Sequence, residues 1–179
     1  MIHADDHTLV RIPTIHTERF VLRAPRRSDL EAYNAFRTSD RAKGVGGPFP
    51  ATDTHAKLCS LAGHWQIEGF GRWIVADKDD APLGVVGLYY PDDWPEPEIA
   101  WSVFAHAEGQ GVAYEAAIAT RAYAYDVLNW TTVMSCILPD NTRSIALARR
   151  MGAVHEGTFH HPVEGEMHIW RHLPPEALH

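Results

Sequence analysis

Two closely spaced glycines, Gly109 and Gly111, occupy a point in the chain where backbone groups could hold an anion. An apolar, β-branched and aromatic run over 98–104 precedes them, and an alanine-rich segment with helical character follows. Glycine lets the backbone approach a ligand closely, and the free N–H groups and dipole of a helix N-terminus favour negative charge. The order strand, tight turn and helix therefore predicts a phosphate-binding loop.

Two common phosphate-binding motifs do not fit these residues. A Walker loop needs GxxxxGK[ST], and no Lys-Ser or Lys-Thr pair follows a glycine in this sequence. A dinucleotide fingerprint needs glycine where Tyr114 stands and a strand early in a βαβ unit. The remaining possibility is a loop that binds pyrophosphate through consecutive backbone N–H groups. Gly-x-Gly alone is a weak signal, because the chain contains 13 glycines.

Further candidates for chemistry follow the predicted loop. Asn141 and Ser144 are separated by one helical turn, so their side chains point the same way. From the residues alone, Asn141 or Asp140 caps a helix and Ser144 is a polar residue in its second turn. A covalent route through Cys136 would need an accessible thiolate, whereas an apolar strand over 132–138 favours a buried thiol.

Hydrophobic periodicity and helix caps predict the elements that position these residues. The predicted helices begin at a capping box formed by Ser28 and Glu31, at Thr52 or Asp53, near Gly111, and at Asn141 or Asp140. Residues 1–16 are predicted to form an irregular arm, although 10–15 could add an edge strand. The element order predicts a single domain over 1–179 with an α/β (α+β) fold and a mixed sheet. The predicted strands span 19–24, 72–77, 82–90, 96–104, 131–138, 153–160 and 165–173, and the predicted helices span 28–38, 52–68, 111–128 and 141–152.

Composition excludes several classes of function. The formal charge of −7 argues against a general nucleic-acid binder, which needs a basic face, and tolerates a cationic substrate better. No apolar run is long enough to span a membrane, and residues 1–6 lack a signal-peptide pattern. Two distant cysteines, Cys59 and Cys136, predict reduced thiols. We therefore expect a cytoplasmic protein that binds neither membranes nor nucleic acid, as a monomer or a homodimer.

Twelve histidines are an unusual number for a chain of this length, and several lie near the C-terminus. In a strand over 165–173, His168, Trp170 and His172 would share one face, which could present imidazoles to a metal or a substrate. No cysteine or carboxylate lies at a ligand-like spacing such as HExxH. We therefore predict no metal site.

Four segments together resemble the GNAT acetyltransferase superfamily, and within it the RimJ/RimL-type N-acetyltransferases, from Arg19 to about Leu173. The stretch 98–101 is similar to the E-I-G-Y of that branch, and 109–116 looks like its W-G-K-G-Y-A-T-E-A loop without the tryptophan. The pair 141–144 and 150–152 resembles its N-x-x-S…R-N-G-F helix, and 17–23 resembles its T-E-R-L-x-L-R opening. Several blocks in the right order are more specific than any one alone.

The resemblance implies a mostly antiparallel central sheet of about seven strands, with helices on both faces and two splayed parallel strands. It further implies that acetyl-CoA binds where those two strands separate. The pantetheine would pair with the strand end near Val103 and Phe104 and contact Asn141. The backbone N–H groups expected to hold the pyrophosphate are those of Gln110, Gly111, Val112, Ala113 and Tyr114.

The resemblance also implies the chemistry, which is direct acetyl transfer to an amine. Glu98 would accept the amine proton, with His64, His106 and the histidines near 160 as alternatives. Ser144 would hydrogen-bond or protonate the departing sulfur. Many GNAT enzymes use a tyrosine seven residues after the asparagine instead, but this chain has Ala148 at that position. A catalytically silent acyl-CoA-binding or protein-interaction domain on the same fold is the alternative function.

Some residues depart from the family pattern, and the acceptor is not specified. Gln110 replaces a frequent basic residue and Glu108 adds a negative charge, so phosphate attraction is expected to be weaker. The acceptor could be a protein N-terminal amine or a small amine. A group of acidic residues on or before the central strand would suit a cationic amine. These residues are Asp92, Asp93, Glu96 and Glu98.

Overall fold

A computed structural model describes residues 10–178, so the first nine residues of the predicted arm lie outside it. All of its strands join one sheet of eight strands in the order β1-β2-β3-β4-β5-β6-β8-β7. Every neighbouring pair is antiparallel except β5 and β6, which are parallel. The strands are β1 (Ile15–His16), β2 (Val21–Arg23), β3 (Arg72–Ala76), β4 (Pro82–Tyr89), β5 (Glu98–Val103), β6 (Met134–Ile137), β7 (Val154–His161) and β8 (Gly165–Arg171).

The helices cover both faces of this sheet, as predicted. Side chains alternate between the two faces along the central strands. Ile74 packs in one core cluster with Phe36 and Leu58, and Trp73 packs in another with Val112 and Ala116. The first cluster packs helices α1 and α2 on one face, and the second packs α3 on the other. The α-helices are α1 (Leu30–Arg37), α2 (Thr54–Glu68), α3 (Val112–Ala122) and α4 (Thr142–Arg150).

Part of the arm adds an edge strand, as the sequence allowed: Ile15 and His16 pair with β2, which brings the predicted sheet of about seven strands to eight. One sequence prediction needs correction. The capping box at Ser28 is wrong: α1 starts at Leu30, after a short turn in which the Asp29 carboxylate accepts the Arg26 N–H at 2.7 Å. The Asp29 carboxylate is fixed in this position because the Arg23 guanidinium donates to both of its oxygens, at 2.8 and 2.9 Å.

The predicted long helix over 111–128 is a compound element. Regular α-helical bonding ends at Ala122, and a π-helical turn continues from Tyr123 to Val127. No helix within residues 10–178 has the length and apolarity needed to cross a bilayer.

Candidate active site

The central feature of the sheet is a fork between its two parallel strands. β4 pairs with β5 from end to end, whereas β6 meets β5 only where Glu98 lies opposite Met134. Beyond that point side chains take the place of ladder bonds. The Cys136 N–H donates to Glu98 Oε2 at 2.8 Å, and the Ser135 hydroxyl donates to the Ile99 carbonyl at 2.6 Å. The splayed parallel strands implied by the resemblance are therefore present.

A cavity of about 990 Å³ occupies the fork and extends between the elements around it. Most of the predicted site residues line this cavity, although they come from distant parts of the chain. They are Glu98, Val103, Gly111, Val112, Ala113, Tyr114, Asn141 and Ser144. Phe104 and Gln110 are outside the lining.

Phe104 and Gln110 have other contacts. The Phe104 ring is buried against Tyr33 and Phe36, and its N–H donates to the Leu83 carbonyl at 2.8 Å. The Gln110 side chain is exposed and donates to the His106 carbonyl at 2.8 Å. Neither side chain therefore contributes to the cavity wall.

The Glu98 carboxylate lies at the base of the fork and is only 5% exposed. Burial raises its pKa from the ordinary 4.5 to about 7, against the opposing effects of the Cys136 hydrogen bond and the positive charge of Arg72. A carboxylate with a pKa near neutrality can accept a proton and release it again at physiological pH. The position and the pKa together suit a general base.

The histidines considered as alternatives are engaged by other groups. His64 uses both ring nitrogens on backbone groups, with Nδ1 2.7 Å from the Phe70 carbonyl and Nε2 accepting the Tyr90 N–H at 3.1 Å. His106 Nε2 lies 3.1 Å from the Pro82 carbonyl. Neither imidazole lines the fork cavity. This leaves His161 as the histidine in the cavity wall.

His161 is also fully hydrogen-bonded. Its Nδ1 accepts the N–H groups of Val163 and Glu164 at 3.2 and 2.9 Å. Nε2 must therefore carry the proton, and it lies 2.8 Å from Asp93 Oδ2. Glu98 is consequently the group in the fork that is better placed to accept a proton.

The glycine loop has the geometry of an anion site. Gly109 and Gly111 have φ values of 75° and 78°, in the left-handed region that favours glycine. The Glu115 N–H donates to the Gly111 carbonyl at 3.1 Å, and the N–H groups that precede it at the helix start have no intrahelical acceptor. Three residues of this turn, Val112, Ala113 and Tyr114, line the cavity. The residues present therefore fit a pyrophosphate group.

A clamp from the N-terminal segment holds this loop in place. Glu115 Oε1 accepts the Thr17 hydroxyl at 2.6 Å and the Arg19 N–H at 2.9 Å. The Arg19 guanidinium donates to Glu115 Oε2 at 2.7 Å and to the Gln110 carbonyl at 2.9 Å. Thr17 and Arg19 match a family motif in the sequence, but no local pattern predicts that they clamp the loop.

The negative charge of Glu108 is neutralised in the fold. Arg41 and Arg143 both form salt bridges with its carboxylate, and all three residues line the cavity near the loop. Two guanidinium groups for one carboxylate leave a net positive charge there. The expected penalty of Glu108 for phosphate binding is therefore offset by long-range pairs that the sequence does not reveal.

The start of α4 presents Asn141 and Ser144 to the cavity. Asn141 Oδ1 caps the helix by accepting the Ser144 N–H at 3.2 Å, and its Nδ2 lies 3.4 Å from the Gly44 carbonyl. The Trp101 indole N–H donates to Ser144 Oγ at 3.1 Å. Because this bond uses an oxygen lone pair, the hydroxyl hydrogen of Ser144 remains available to another acceptor. No sequence pattern predicts this hydrogen bond between Trp101 and Ser144.

Cys136 lines the same cavity but is a poor nucleophile. Burial, reinforced by the charge of Glu98, raises the pKa of its thiol to about 12. The thiolate is the reactive form of cysteine, and its population at neutral pH is negligible at that pKa. A covalent route through Cys136 is therefore disfavoured.

The expected acidic surface for a cationic amine is neutralised only in part. Arg171 binds Glu96 in a bidentate pair with both distances at 2.6 Å, whereas Asp93 accepts only a hydrogen bond from the neutral imidazole of His161. The C-terminal histidines also fail to converge: His168 contacts His155, whereas His172 is buried against Ser135. Residues 10–178 contain no group of three side chains arranged to hold a metal ion.

The forked sheet, the helix N-terminus beside it and the buried carboxylate at its base define an acyl-transfer scaffold of the GNAT type. Residues 19–154 match the family model described as an acetyltransferase (GNAT) domain, and the chain belongs to this family. An acetyltransferase from Agrobacterium tumefaciens str. C58 is 30% identical, with a TM-score of 0.84 over 95% of this chain and 99% of that one.

More distant solved structures share the fold. A GNAT-family acetyltransferase from Bacillus anthracis is 23% identical, with a TM-score of 0.77 over 92% of this chain and 99% of that one. RimL, a ribosomal L7/L12 alpha-N-protein acetyltransferase solved with coenzyme A, is 17% identical with a TM-score of 0.71, over 90% of this chain and 98% of that one. At these identities the likeness shows the shared fold.

Proposed function

We propose that this protein is an acetyl-CoA-dependent N-acetyltransferase that transfers the acetyl group directly to a primary amine. The observation that carries this proposal is the convergence of a helix N-terminus, a buried carboxylate with a pKa near 7, and a serine hydroxyl on one cavity. These are the groups that direct transfer requires, since an anionic cosubstrate must be held, an amine deprotonated and a thiolate protonated.

The cosubstrate is held by backbone groups in this proposal. The N–H groups of Gln110 through Tyr114 and the dipole of α3 bind the pyrophosphate, while Arg41 and Arg143 contribute positive charge. The edge of β5 that faces the fork has no partner strand from Ala100 to Val103 within residues 10–178, so its backbone groups can pair with the pantetheine amides. Asn141 supplies a further polar contact at the helix start.

Two side chains then move protons. Glu98 accepts the proton of the attacking amine, since its raised pKa makes it basic enough to do so at neutral pH. Ser144 donates its hydroxyl hydrogen to the departing sulfur, with its oxygen held by Trp101. Acetyl-CoA supplies the activated acyl group. A silent acyl-CoA-binding domain would need neither Glu98 nor Ser144.

The proposal is tested in two stages. Calorimetry with acetyl-CoA and with free CoA measures binding, and no heat at millimolar ligand would contradict both the enzyme and the silent binder. A panel of small amines and N-terminal peptides, with free thiol as the readout, then measures transfer. We expect turnover with some members of the panel; binding of acetyl-CoA without turnover of any amine would support the silent binder. A cytoplasmic location stays a prediction from the sequence.

A further inference from the structure

Three basic side chains form a cluster in the wall of the fork cavity, on the side away from the phosphate loop. We call Arg37, Lys57 and Arg72 the basic cluster; all three line the cavity. Arg72 pairs with Gly87 in the sheet, close to where Tyr89 pairs with Glu98, whereas the phosphate loop follows the opposite end of β5. The cluster therefore lies beyond the proposed base and separate from the expected pyrophosphate site.

The charges of the basic cluster are not neutralised by the protein. None of its members forms a salt bridge with a carboxylate of residues 10–178. Arg37 is only 6% exposed, and its Nε has no hydrogen-bond partner among the described residues. A buried charged group without a partner is costly, so such a group calls for a ligand of opposite charge.

Aromatic rings position these cations in place of carboxylates. The Arg72 guanidinium lies 4.1 Å and the Lys57 ammonium 5.6 Å from the centre of the Tyr89 ring. The Arg37 guanidinium lies 4.2 Å from the centre of the Phe49 ring. Cation–π contacts orient the cations and leave their positive charge uncompensated. Burial, together with repulsion from Arg72 and Arg37, lowers the pKa of Lys57 to about 8, as expected where positive charges crowd together.

The nearby carboxylates offset only part of this positive charge. Glu98 is within Coulomb range of Arg72, but it is buried and hydrogen-bonded to the Cys136 N–H. Asp93 accepts a hydrogen bond from His161 Nε2, but the other ring nitrogen of His161 carries no proton, so the negative charge of Asp93 is not neutralised. Asp92 is exposed and lines a smaller adjoining cavity of about 280 Å³ together with Lys57 and Arg72, without forming a salt bridge to either. The three cations of the basic cluster therefore outnumber Asp92 and Asp93, the two exposed carboxylates beside them, and neither carboxylate forms a salt bridge with the cluster.

We propose that the acceptor is an amine that also carries an anionic group, a carboxylate or a phosphate, and that the basic cluster binds this group while the amine faces Glu98. This inference rests on the proposed function and names its substrate class. It differs from the sequence expectation of an acidic surface that attracts a purely cationic amine. A bound anion would remove the repulsion within the cluster and fix the amine relative to the base.

Matched acceptor pairs that differ in the anionic group test the proposal. The pairs are β-alanine with β-alaninamide, O-phosphoethanolamine with ethanolamine, and peptides that begin Ser-Asp or Ser-Asn. We expect the anionic member of at least one pair to have a kcat/KM at least about tenfold higher, the equivalent of one charge-assisted contact. The pair with the largest ratio identifies the source of the anion. Equal kcat/KM within every pair would overturn the proposal.

Variants of Lys57 link the preference to the cluster. Lys57→Met should reduce the ratio within the preferred pair toward one while the KM for acetyl-CoA stays unchanged, and Lys57→Arg should retain the preference. Lys78→Met is the matched control, since Lys78 is an exposed turn residue outside the cavity lining. A ratio that survives in Lys57→Met would contradict the assignment.

A binding measurement separates this proposal from the proposed function. Thermal shifts are recorded with each acceptor pair at saturating CoA, so that the pyrophosphate site is already filled. The anionic members should raise Tm in the wild type and in Lys78→Met, and should have little effect in Lys57→Met. If no amine is turned over, the proposed function fails and these shifts alone decide the anion site. Turnover without any preference for the anionic acceptors would contradict the anion site but not the proposed function.

Discussion

Glu98 combines two roles that depend on the same burial. Its carboxylate replaces a backbone acceptor for the Cys136 N–H, which helps to keep β5 and β6 apart, and the desolvation there raises its pKa to about 7. In a fully paired sheet the Cys136 N–H would donate to a backbone carbonyl of β5, and the Glu98 carboxylate would not be needed as its acceptor. The geometry that opens the cavity therefore also creates the base.

The pH profile of the reaction should report this residue. The wild-type kcat/KM should rise with pH through about 7 as Glu98 deprotonates. Glu98→Gln should lose that limb and about 100-fold or more in rate, because the amide keeps the shape but cannot accept a proton. Glu166→Gln, an exposed carboxylate outside the cavity lining, is the control. A Glu98→Gln enzyme with the wild-type profile would exclude Glu98 as the base.

Ser144 and Trp101 should act as a coupled pair. Ser144→Ala should lower kcat by about 100-fold if the hydroxyl protonates the leaving thiolate. Trp101→Phe should lower kcat by about tenfold, since it removes one hydrogen bond that orients the hydroxyl. In the Ser144→Ala background the Trp101→Phe change should add little, which a double-mutant cycle on kcat measures. Equal effects of Trp101→Phe in both backgrounds would show that the indole acts only through packing.

Among the elements, the glycine loop and the N-terminal clamp form one unit. The clamp fixes the first turn of α3 from outside through Arg19 and Glu115, while the left-handed backbone of Gly111 turns the chain into the helix. A hypothetical Cβ at Gly111 would lie 2.9 Å from the Arg19 guanidinium. Substitution there therefore disturbs both parts at once.

Gly111→Ala should mainly weaken cosubstrate binding. Alanine in the left-handed region costs about 1–2 kcal/mol, so the loop should relax and misplace the N–H groups that hold the pyrophosphate. We expect the KM for acetyl-CoA to rise about tenfold with a smaller change in kcat. Gly63→Ala is the matched control: it lies within α2 with open space around it, and should stabilise the fold by about 0.5–1 kcal/mol. An unchanged KM in Gly111→Ala would contradict the loop assignment.

The sequence predicts local features better than long-range pairs. Period-two and helical patterns locate the central strands and the main helices, and the glycine signal locates the turn at Gly111. The Arg19–Glu115 clamp, the neutralisation of Glu108 and the basic cluster join residues that are far apart in the chain, and no local pattern contains them. The spacing of Ser28 and Glu31 wrongly predicts a capping box, because the buried pair of Arg23 and Asp29 determines where the helix starts.

At the scale of the whole molecule, two buried titratable groups with opposite effects lie on either side of β6. Burial lowers the pKa of His172 from 6.5 to about 3, whereas it raises that of Glu98 from 4.5 to about 7. His172 resists protonation in the fold, so its contribution to stability is complete above pH 6.5 and is lost as the pH falls toward 3. Glu98 resists ionisation, so its contribution is complete below pH 4.5 and is lost as the pH rises toward 7. Between pH 4.5 and 6.5 the two groups change the free energy of unfolding with pH in opposite directions, so these two slopes nearly cancel.

Single substitutions should separate the effects of Glu98 and His172 on the pH dependence of the free energy of unfolding. In His172→Gln the Glu98 effect is unopposed, so the free energy of unfolding should increase as the pH falls from 6.5 to 4.5, by about 1.4 kcal/mol per pH unit relative to the wild type. In Glu98→Gln the His172 effect is unopposed, so the same acidification should decrease that free energy by a similar amount. Urea unfolding at pH 5 and pH 6.5 measures both changes. Two variants whose pH dependence runs in the same direction as each other would contradict this account, because it requires the slopes to have opposite signs.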